Sequence, residues 1–174
     1  MNIVLIGYRG SGKTSIGRCL ATLLRRPFID TNALIVQTAG KSIREIFEAE
    51  GEPGFRRREA AAIASVAAAD HQVIALGGGA VLNPENIAGL RKHGAKIVWL
   101  RAAPETLHAR IQSDTATAVT RPNLTAAGGL EEVRKLLALR LPLYQSAADM
   151  TIDVGELSVA AAAAQIADRF GHPS

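Results

Sequence analysis

The feature that most constrains this chain is a glycine-rich segment directly behind a short apolar run. Residues 7–14 read Gly-Tyr-Arg-Gly-Ser-Gly-Lys-Thr, and the apolar run before them, residues 2–6, predicts a buried strand. The segment matches the pattern G-x-x-x-x-G-K-[ST] in the strand-then-helix setting that this pattern requires. In that setting successive backbone N–H groups point inward at phosphate oxygens, and the following helix adds its positive dipole end. The segment therefore predicts a nucleoside triphosphate site.

Two side chains of this loop have distinct predicted roles. Lys13 is expected to reach the β- and γ-phosphates, and the Thr14 hydroxyl is expected to ligate Mg²⁺. We therefore predict a nucleoside triphosphate and Mg²⁺ as cofactors and Lys13 as a catalytic residue. The predicted nucleotide-binding residues in this part of the chain are Gly10, Ser11, Gly12, Lys13, Thr14 and Ser15.

Along the chain, apolar β-branched runs alternate with amphipathic segments. The predicted strands lie near residues 2–6, 27–30, 72–76, 96–100 and 150–154. This alternation predicts an α/β fold with a parallel sheet covered on both faces, that is, three α/β/α layers.

Sequence signals also predict where helices begin and end. Ser42 and Glu45 form a capping box, and Asn83-Pro84 begins a helix that Gly94 ends. A terminal packing helix is predicted from Ser158 to Phe170, with a buried stripe of Val159, Ala163, Ile166 and Phe170. The lone Cys19 is interpreted as a small core residue.

Length and charge limit the classes of partner. With 174 residues and 48% hydrophobic content, the chain is expected to form one domain spanning residues 1–174. The net charge is +4, but aromatic residues make up only 4% of the chain and no basic run exceeds Arg56-Arg57-Arg58. A small anionic substrate therefore fits better than nucleic acid. Neither a signal peptide nor an apolar stretch of membrane-spanning length is evident, so we expect a cytoplasmic protein without membrane contact. We also expect a monomer.

One stretch, from Asp114 to Gly129, follows neither a helical nor a strand period. A loop of this length is often a lid, which in a phosphoryl-transfer enzyme excludes water and brings a cation to the phosphates. We predict a mobile lid at 114–129 and choose Arg121 as its catalytic and nucleotide-contacting cation.

Further polar signals lie where a parallel sheet places its ligands, at the carboxyl ends of strands. The second strand ends in Asp30-Thr31-Asn32, and the third ends in three consecutive glycines, residues 77–79. The glycines are expected to free backbone N–H groups for a closely approaching substrate. Arg56 and Glu59 lie one helical turn apart, and the planar guanidinium of Arg56 suits a carboxylate.

Taken in order, these segments resemble the shikimate kinase family, within the P-loop enzymes similar to nucleoside monophosphate kinases. The matching signatures are residues 7–14, Phe28-Ile29-Asp30-Thr31-Asn32, residues 51–59 (Gly-Glu-Pro-Gly-Phe-Arg-Arg-Arg-Glu), Leu76-Gly77-Gly78-Gly79-Ala80-Val81, Arg121-Pro122, and Arg140-Leu141-Pro142-Leu143-Tyr144. The resemblance implies a five-stranded parallel sheet in the order 2-3-1-4-5. It also implies ATP-dependent phosphorylation of shikimate to shikimate 3-phosphate, a step toward chorismate and the aromatic amino acids.

The resemblance also implies roles for individual residues. Asp30 would serve Mg²⁺ through water, Arg110 would lie against adenine, and Arg121 would contact substrate and phosphates. Both Arg56 and Arg140 would bind the carboxylate of shikimate. The implied acceptor-binding residues are Asn32, Arg56, Glu59, Gly77, Gly78, Gly79 and Arg140.

The sequence departs from the family at Asn32. The family motif is Asp-x-Asp, whose second carboxylate is the usual candidate for the catalytic base, and an amide cannot take a proton near neutral pH. Two other activities therefore stay open: a kinase for another small hydroxy acid such as gluconate, and a nucleotide-binding pseudokinase.

Overall fold

The structure, a computed structural model, describes residues 1–114 and 128–171 of the chain. Within them, the five predicted strands are confirmed to within one residue at each end. The strands are β1 (Ile3–Ile6), β2 (Phe28–Asp30), β3 (Val73–Ala75), β4 (Lys96–Arg101) and β5 (Met150–Asp153).

All strand pairs are parallel, and the sheet order is β2-β3-β1-β4-β5, as the resemblance implied. The four residues of β1 are at most 1% exposed, which explains the uninterrupted apolar run that begins the chain. Because β1 lies between β3 and β4, the chain continues from β1 to β2 and β3 on one side of β1 and then crosses to β4 on the other side. The loops after β1 and β3 therefore border the crevice where such sheets bind ligands.

Helices cover the sheet, and their ends follow the predicted signals. They are α1 (Lys13–Leu24), α2 (Thr31–Ala39), α3 (Ile43–Ala67), α4 (Pro84–Lys92), α5 (Pro104–Ser113), α6 (Gly129–Ala147) and α7 (Val159–Phe170), with a short 3₁₀ turn at Ala80–Leu82. The capping box before α3 is present, since Ser42 Oγ accepts from the Glu45 N–H at 3.2 Å and Glu45 Oε2 accepts from the Ser42 N–H at 2.7 Å. Gly94 follows α4 with φ of +72°.

The terminal helix α7 packs on α1, but its buried row differs from the prediction. Ala163 and Ile166 are fully buried together with Ala162, whereas Val159 is 41% exposed. Val159 was wrongly placed in the stripe because it begins the helix directly after the cap Ser158, so Ala162 is the first residue to reach the core.

Helix α3 is broken at Gly51, which adopts φ of 67° and ψ of −177°. The chain becomes helical again at Pro53, which is tolerated there because a first-turn residue needs no N–H donor. An ion pair between Arg58 and Glu50, 2.8 Å, spans the break. The break thus separates the first turns of α3 from the part that carries Arg56.

Three other predictions concern Cys19, the lid and the membrane. Cys19 is half-buried and packs against the main core, as a small core residue would. The predicted lid at 114–129 lies almost wholly outside the described residues, which stop at 114 and resume at 128, so it stays a prediction. Among the described residues, no helix combines the length and the hydropathy needed to span a membrane.

Candidate active site

The loop after β1 adopts the wrapped conformation that its glycines permit. Gly7, Gly10 and Gly12 have φ of 146°, 84° and 85°, a region that other residues rarely adopt. A Cβ at Gly7 would lie 2.6 Å from the Leu100 carbonyl oxygen, so a side chain there would collide with the backbone. The buried Ser11 closes the turn through its N–H, which donates to the Tyr8 carbonyl at 3.2 Å.

Lys13 lies across this loop. Its Nζ donates to the carbonyl oxygens of Gly7 at 2.7 Å and Tyr8 at 2.9 Å. Helix α1 begins at the same residue and presents its N-terminal N–H groups in the same region. The loop therefore concentrates positive charge and backbone donors where the sequence predicted phosphates.

Thr14 and Asp30 form the adjoining oxygen pair. Thr14 Oγ1 donates to Asp30 Oδ2 at 2.9 Å. The other carboxylate oxygen, Oδ1, accepts from the N–H groups of Asn32 and Ala33 at 3.0 and 3.3 Å and so caps α2. A hydroxyl and a carboxylate held side by side are oxygen donors of the kind that Mg²⁺ prefers, so these residues fit the ion.

The loop opens into a cavity, which we call the nucleotide cavity. Its lining includes the predicted residues Gly10, Gly12, Lys13, Thr14, Ser15, Asp30 and Arg110. The guanidinium of Arg110 donates to the carbonyl oxygens of Val154 at 2.7 Å and Gly155 at 3.2 Å, so the turn after β5 fixes its position. Its contact with adenine stays a prediction. Arg121 lies outside the described residues.

A second cavity, the acceptor cavity, adjoins the first. All the predicted acceptor-binding residues line it, together with hydrophobic side chains of α3: Asn32, Arg56, Glu59, Gly77, Gly78, Gly79 and Arg140, with Ile43, Phe47 and Phe55. The structure thus brings together residues from α2, α3, the loop after β3, and α6. Asn32, Gly78 and Arg9 line both cavities, so the two sites meet there.

Two arginines lie against successive glycines of the acceptor cavity. A Cβ at Gly79 would be 2.6 Å from Arg56 Nη1, and one at Gly78 would be 3.7 Å from Arg140 Nη1. Arg140 is only 6% exposed, and its guanidinium carbon lies 5.5 Å from the centroid of the Tyr8 ring. A side chain at Gly79 would displace the Arg56 guanidinium from its position.

The expectation that all three glycines offer their N–H groups to a substrate is wrong for Gly77. The Gly77 N–H donates to Thr31 Oγ1 at 3.3 Å, and the Thr31 hydroxyl donates to the Ala75 carbonyl at 3.2 Å. Thr31 is completely buried and so joins the end of β2 to the end of β3. The Gly77 N–H therefore attaches the glycine loop, residues 77–79, to the end of β2.

Tyr144 is a residue beside the acceptor cavity for which no role was predicted. Its hydroxyl donates to the Gly78 carbonyl at 2.6 Å, and its ring stacks on Trp99 with centroids 5.7 Å apart. Burial raises the pKa of the Tyr144 hydroxyl, which keeps it a donor. Its spacing of four residues from Arg140 was the available signal, because it places both side chains on one face of α6.

Glu59 lies at the inner end of the acceptor cavity and is 1% exposed. Its Oε2 accepts from Arg56 Nη1 at 2.7 Å, while Arg56 Nη2 also donates to Glu52 at 3.2 Å. Burial raises the pKa of the Glu59 carboxyl, and the nearby charges of Arg56 and Arg140 partly oppose this rise. The Glu59 carboxyl is thus shielded from solvent beside the predicted acceptor-binding residues.

Comparison with known proteins agrees with this geometry. The family model described as shikimate kinase matches residues 9–170. A shikimate kinase of Symbiobacterium thermophilum is 47% identical over 170 residues, covering 98% of this chain and 96% of that protein. One from Syntrophus aciditrophicus is 42% identical over 177 residues, covering 97% and 90%. The structure of shikimate kinase from Acinetobacter baumannii in complex with shikimate matches with a TM-score of 0.89 at 35% identity, covering 97% of this chain and 91% of that one. The chain therefore belongs to the shikimate kinase family.

Proposed function

We propose that the two adjoining cavities serve the activity of the family, transfer of the γ-phosphoryl group of ATP to a hydroxyl of shikimate, giving shikimate 3-phosphate. The observation that carries this proposal is that Asn32 and Gly78 line both cavities. A phosphoryl group at the mouth of the loop and a hydroxyl in the acceptor cavity would therefore meet at one place. Phosphoryl transfer depends largely on such positioning and on charge stabilisation.

The nucleotide cavity supplies the charge. Lys13, the N-terminus of α1 and the loop N–H groups would bind the phosphates of ATP. Ser11 would stabilise the loop through the hydrogen bond from its N–H to the Tyr8 carbonyl. Thr14 and Asp30 would hold Mg²⁺, Asp30 through water. When bound, Mg²⁺ would neutralise charge on the phosphate oxygens. Arg110 would lie beside the base.

The acceptor cavity supplies orientation. Arg56 and Arg140 converge on Gly78 and Gly79 from different helices, and guanidinium groups recognise carboxylates through paired N–H donors. Glu59 holds the Arg56 guanidinium through the 2.7 Å ion pair. We propose that the two arginines bind the shikimate carboxylate and that Asn32 orients its hydroxyl. The shikimate in the Acinetobacter baumannii structure supports this ligand class.

We also propose that residues 114–129 act as a lid and that Arg121 brings a cation to the transferring phosphate. The chain would act as a monomer in the cytoplasm on a small molecule, without nucleic acid. Size-exclusion chromatography with light scattering, with and without substrates, tests the monomer.

The test of the activity is a coupled assay of ADP formation with shikimate, gluconate and other hydroxy acids as acceptors. Native protein should turn over ATP with shikimate in preference to every other acceptor. Lys13→Ala is the matched control, because it should be inactive with all of them. Preference for gluconate would assign another acceptor to the same cavity. Nucleotide binding without turnover on any acceptor would instead assign a pseudokinase.

A further inference from the structure

Two buried oxygen atoms meet beside Gly77 at the inner end of the acceptor cavity. A Cβ placed on Gly77 would lie 2.7 Å from Glu59 Oε1 and 2.9 Å from Asn32 Oδ1, so both atoms face the same point. Within the described part of the chain, neither oxygen has a hydrogen-bond donor. Buried polar atoms normally have partners, so two such oxygens at one point indicate that a donor belongs between or beside them.

The two side chains differ in what they can do with that donor. An asparagine amide can accept a hydrogen bond, but it cannot accept a proton near neutral pH. Of the described residues that line the acceptor cavity, Glu59 is the only carboxylate. Asp30 lines the nucleotide cavity instead, where its oxygens are bound by Thr14 and by the first turn of α2.

The surroundings leave one oxygen of Glu59 available. Arg56 binds Oε2 at 2.7 Å, and Oε1 is the atom that points toward Gly77. Arg56 and Glu52 face Glu59 from its own helix, and Arg140 faces it from α6; Asn32 on α2 adds no charge. Burial raises the pKa of the Glu59 carboxyl above its ordinary value, which strengthens it as a base.

We propose that Glu59 is the catalytic base of this chain, and that its Oε1 takes the proton of the acceptor hydroxyl, directly or through one water, while Asn32 orients that hydroxyl. As the new oxygen–phosphorus bond forms, the acceptor O–H bond breaks and its proton passes to Glu59. The bond from the γ-phosphorus to its bridging oxygen breaks, and its electron pair stays with ADP. Glu59 then returns the proton to solvent. This inference rests on the proposed phosphorylation of shikimate.

The competing role for Glu59 is to hold Arg56 and nothing more. A double-mutant comparison separates the roles, using native protein, Glu59→Gln, Asn32→Asp, and the combination of both changes. Gln keeps the shape of Glu59 but cannot accept a proton. Asp at position 32 supplies a second carboxylate at the same point. The values of kcat, and of KM for shikimate and ATP, are measured for all four proteins across pH.

With Asn at position 32, Glu59→Gln should lower kcat about 10²-fold, the lower end of the usual general-base contribution, because the transition state is loose. With Asp at position 32, the same change should lower kcat much less. The rise in KM for shikimate should be similar in both backgrounds, because the pair with Arg56 is lost in both. The acid limb of the pH profile, that is, the fall of kcat at low pH, should be absent in Glu59→Gln. It should be present in Glu59→Asp, with its midpoint displaced to a different pH.

Equal losses of kcat in both backgrounds, with an unchanged acid limb, would overturn the base and leave Glu59 as a positioning residue. Native protein that binds shikimate but transfers no phosphate would overturn the proposed function itself, and the base with it. Circular dichroism and thermal unfolding of each variant establish that the fold is intact. If Glu59→Gln does not fold, the displacement of the acid limb in Glu59→Asp decides the question.

Discussion

Removing the Tyr144 hydroxyl tests whether α6 fixes the glycine loop of the acceptor cavity. Tyr144→Phe keeps the ring, and therefore its stacking on Trp99, and deletes only the 2.6 Å bond to the Gly78 carbonyl. The Tyr144 side chain is fully buried, whereas Gly78 is half-buried and lines both cavities. We expect this change to affect both the stability of the protein and its affinity for the acceptor.

The size of the effect follows from the burial. The bond is partly buried, so we expect its loss to cost the net contribution of an ordinary hydrogen bond, about 0.5–1.5 kcal/mol, whereas a solvent-exposed bond contributes less. For a chain of this size, each kcal/mol lowers Tm by about 2–4 °C, so Tyr144→Phe should lower it by about 1–6 °C. Because the Gly78 carbonyl loses its anchor between Arg56 and Arg140, KM for shikimate should rise more than KM for ATP.

Ser146→Ala is the matched control on the same helix. It also deletes a hydroxyl-to-carbonyl bond, from Ser146 Oγ to Leu143 at 3.1 Å, but at an exposed position. Its Tm and both KM values should stay near those of native protein. Tm is read by calorimetry and the KM values by the coupled assay. If Tyr144→Phe behaves like Ser146→Ala in both measurements, the argument that this hydroxyl anchors the loop is refuted.

Three further outcomes follow from the site. Lys13→Ala should abolish most turnover and should lower Tm modestly, because it also removes the hydrogen bonds from Nζ to the Gly7 and Tyr8 carbonyls; unchanged turnover would contradict the phosphate role. Arg56→Ala and Arg140→Ala should each raise KM for shikimate roughly 10- to 150-fold, from about 1.5–3 kcal/mol per charged hydrogen bond, with a smaller change for ATP. Because the folded-state pKa of the Glu59 carboxyl is raised, folded protein binds more protons than unfolded protein between the unfolded-state pKa, about 4.3, and the raised folded-state pKa. The contribution of Glu59 to stability should therefore be present below this window and be lost as pH rises through the folded-state pKa, and Glu59→Gln should remove that slope in urea unfolding.

The sequence predicted those parts of the molecule that local pattern determines. The strands were predictable because buried parallel strands are continuous apolar runs, and β1 is such a run in the residues before Gly7. The capping box at Ser42 was predictable because both of its hydrogen bonds join residues three apart. The clustering of Arg56 and Arg140 came from the family resemblance, and the structure places both in one cavity.

The sequence could not predict contacts between distant residues whose types allow many partners. Thr31 is 46 residues from Gly77, and Tyr144 is 66 residues from Gly78, yet each pair is joined by a hydrogen bond. A hydroxyl can pair with nearly any carbonyl or N–H group, so residue type alone does not identify its partner. The attachment of the glycine loop is for this reason visible only in the structure.

The side chain at position 32 and the Glu59 carboxyl should also influence each other's ionisation. An Asp at position 32 would put a second carboxylate near the point that Glu59 Oε1 already faces, and like charges this close raise the cost of ionising both. The amide of Asn32 removes that repulsion, so Glu59 can lose its proton at a lower pH than it could beside an aspartate. Asn32→Asp should therefore raise the pKa of the Glu59 carboxyl further, and the two groups should titrate together. Carboxyl chemical shifts of ¹³C-labelled Glu59, followed across pH in native protein and in Asn32→Asp, measure this directly. An unchanged titration of Glu59 would show that the two side chains are not coupled.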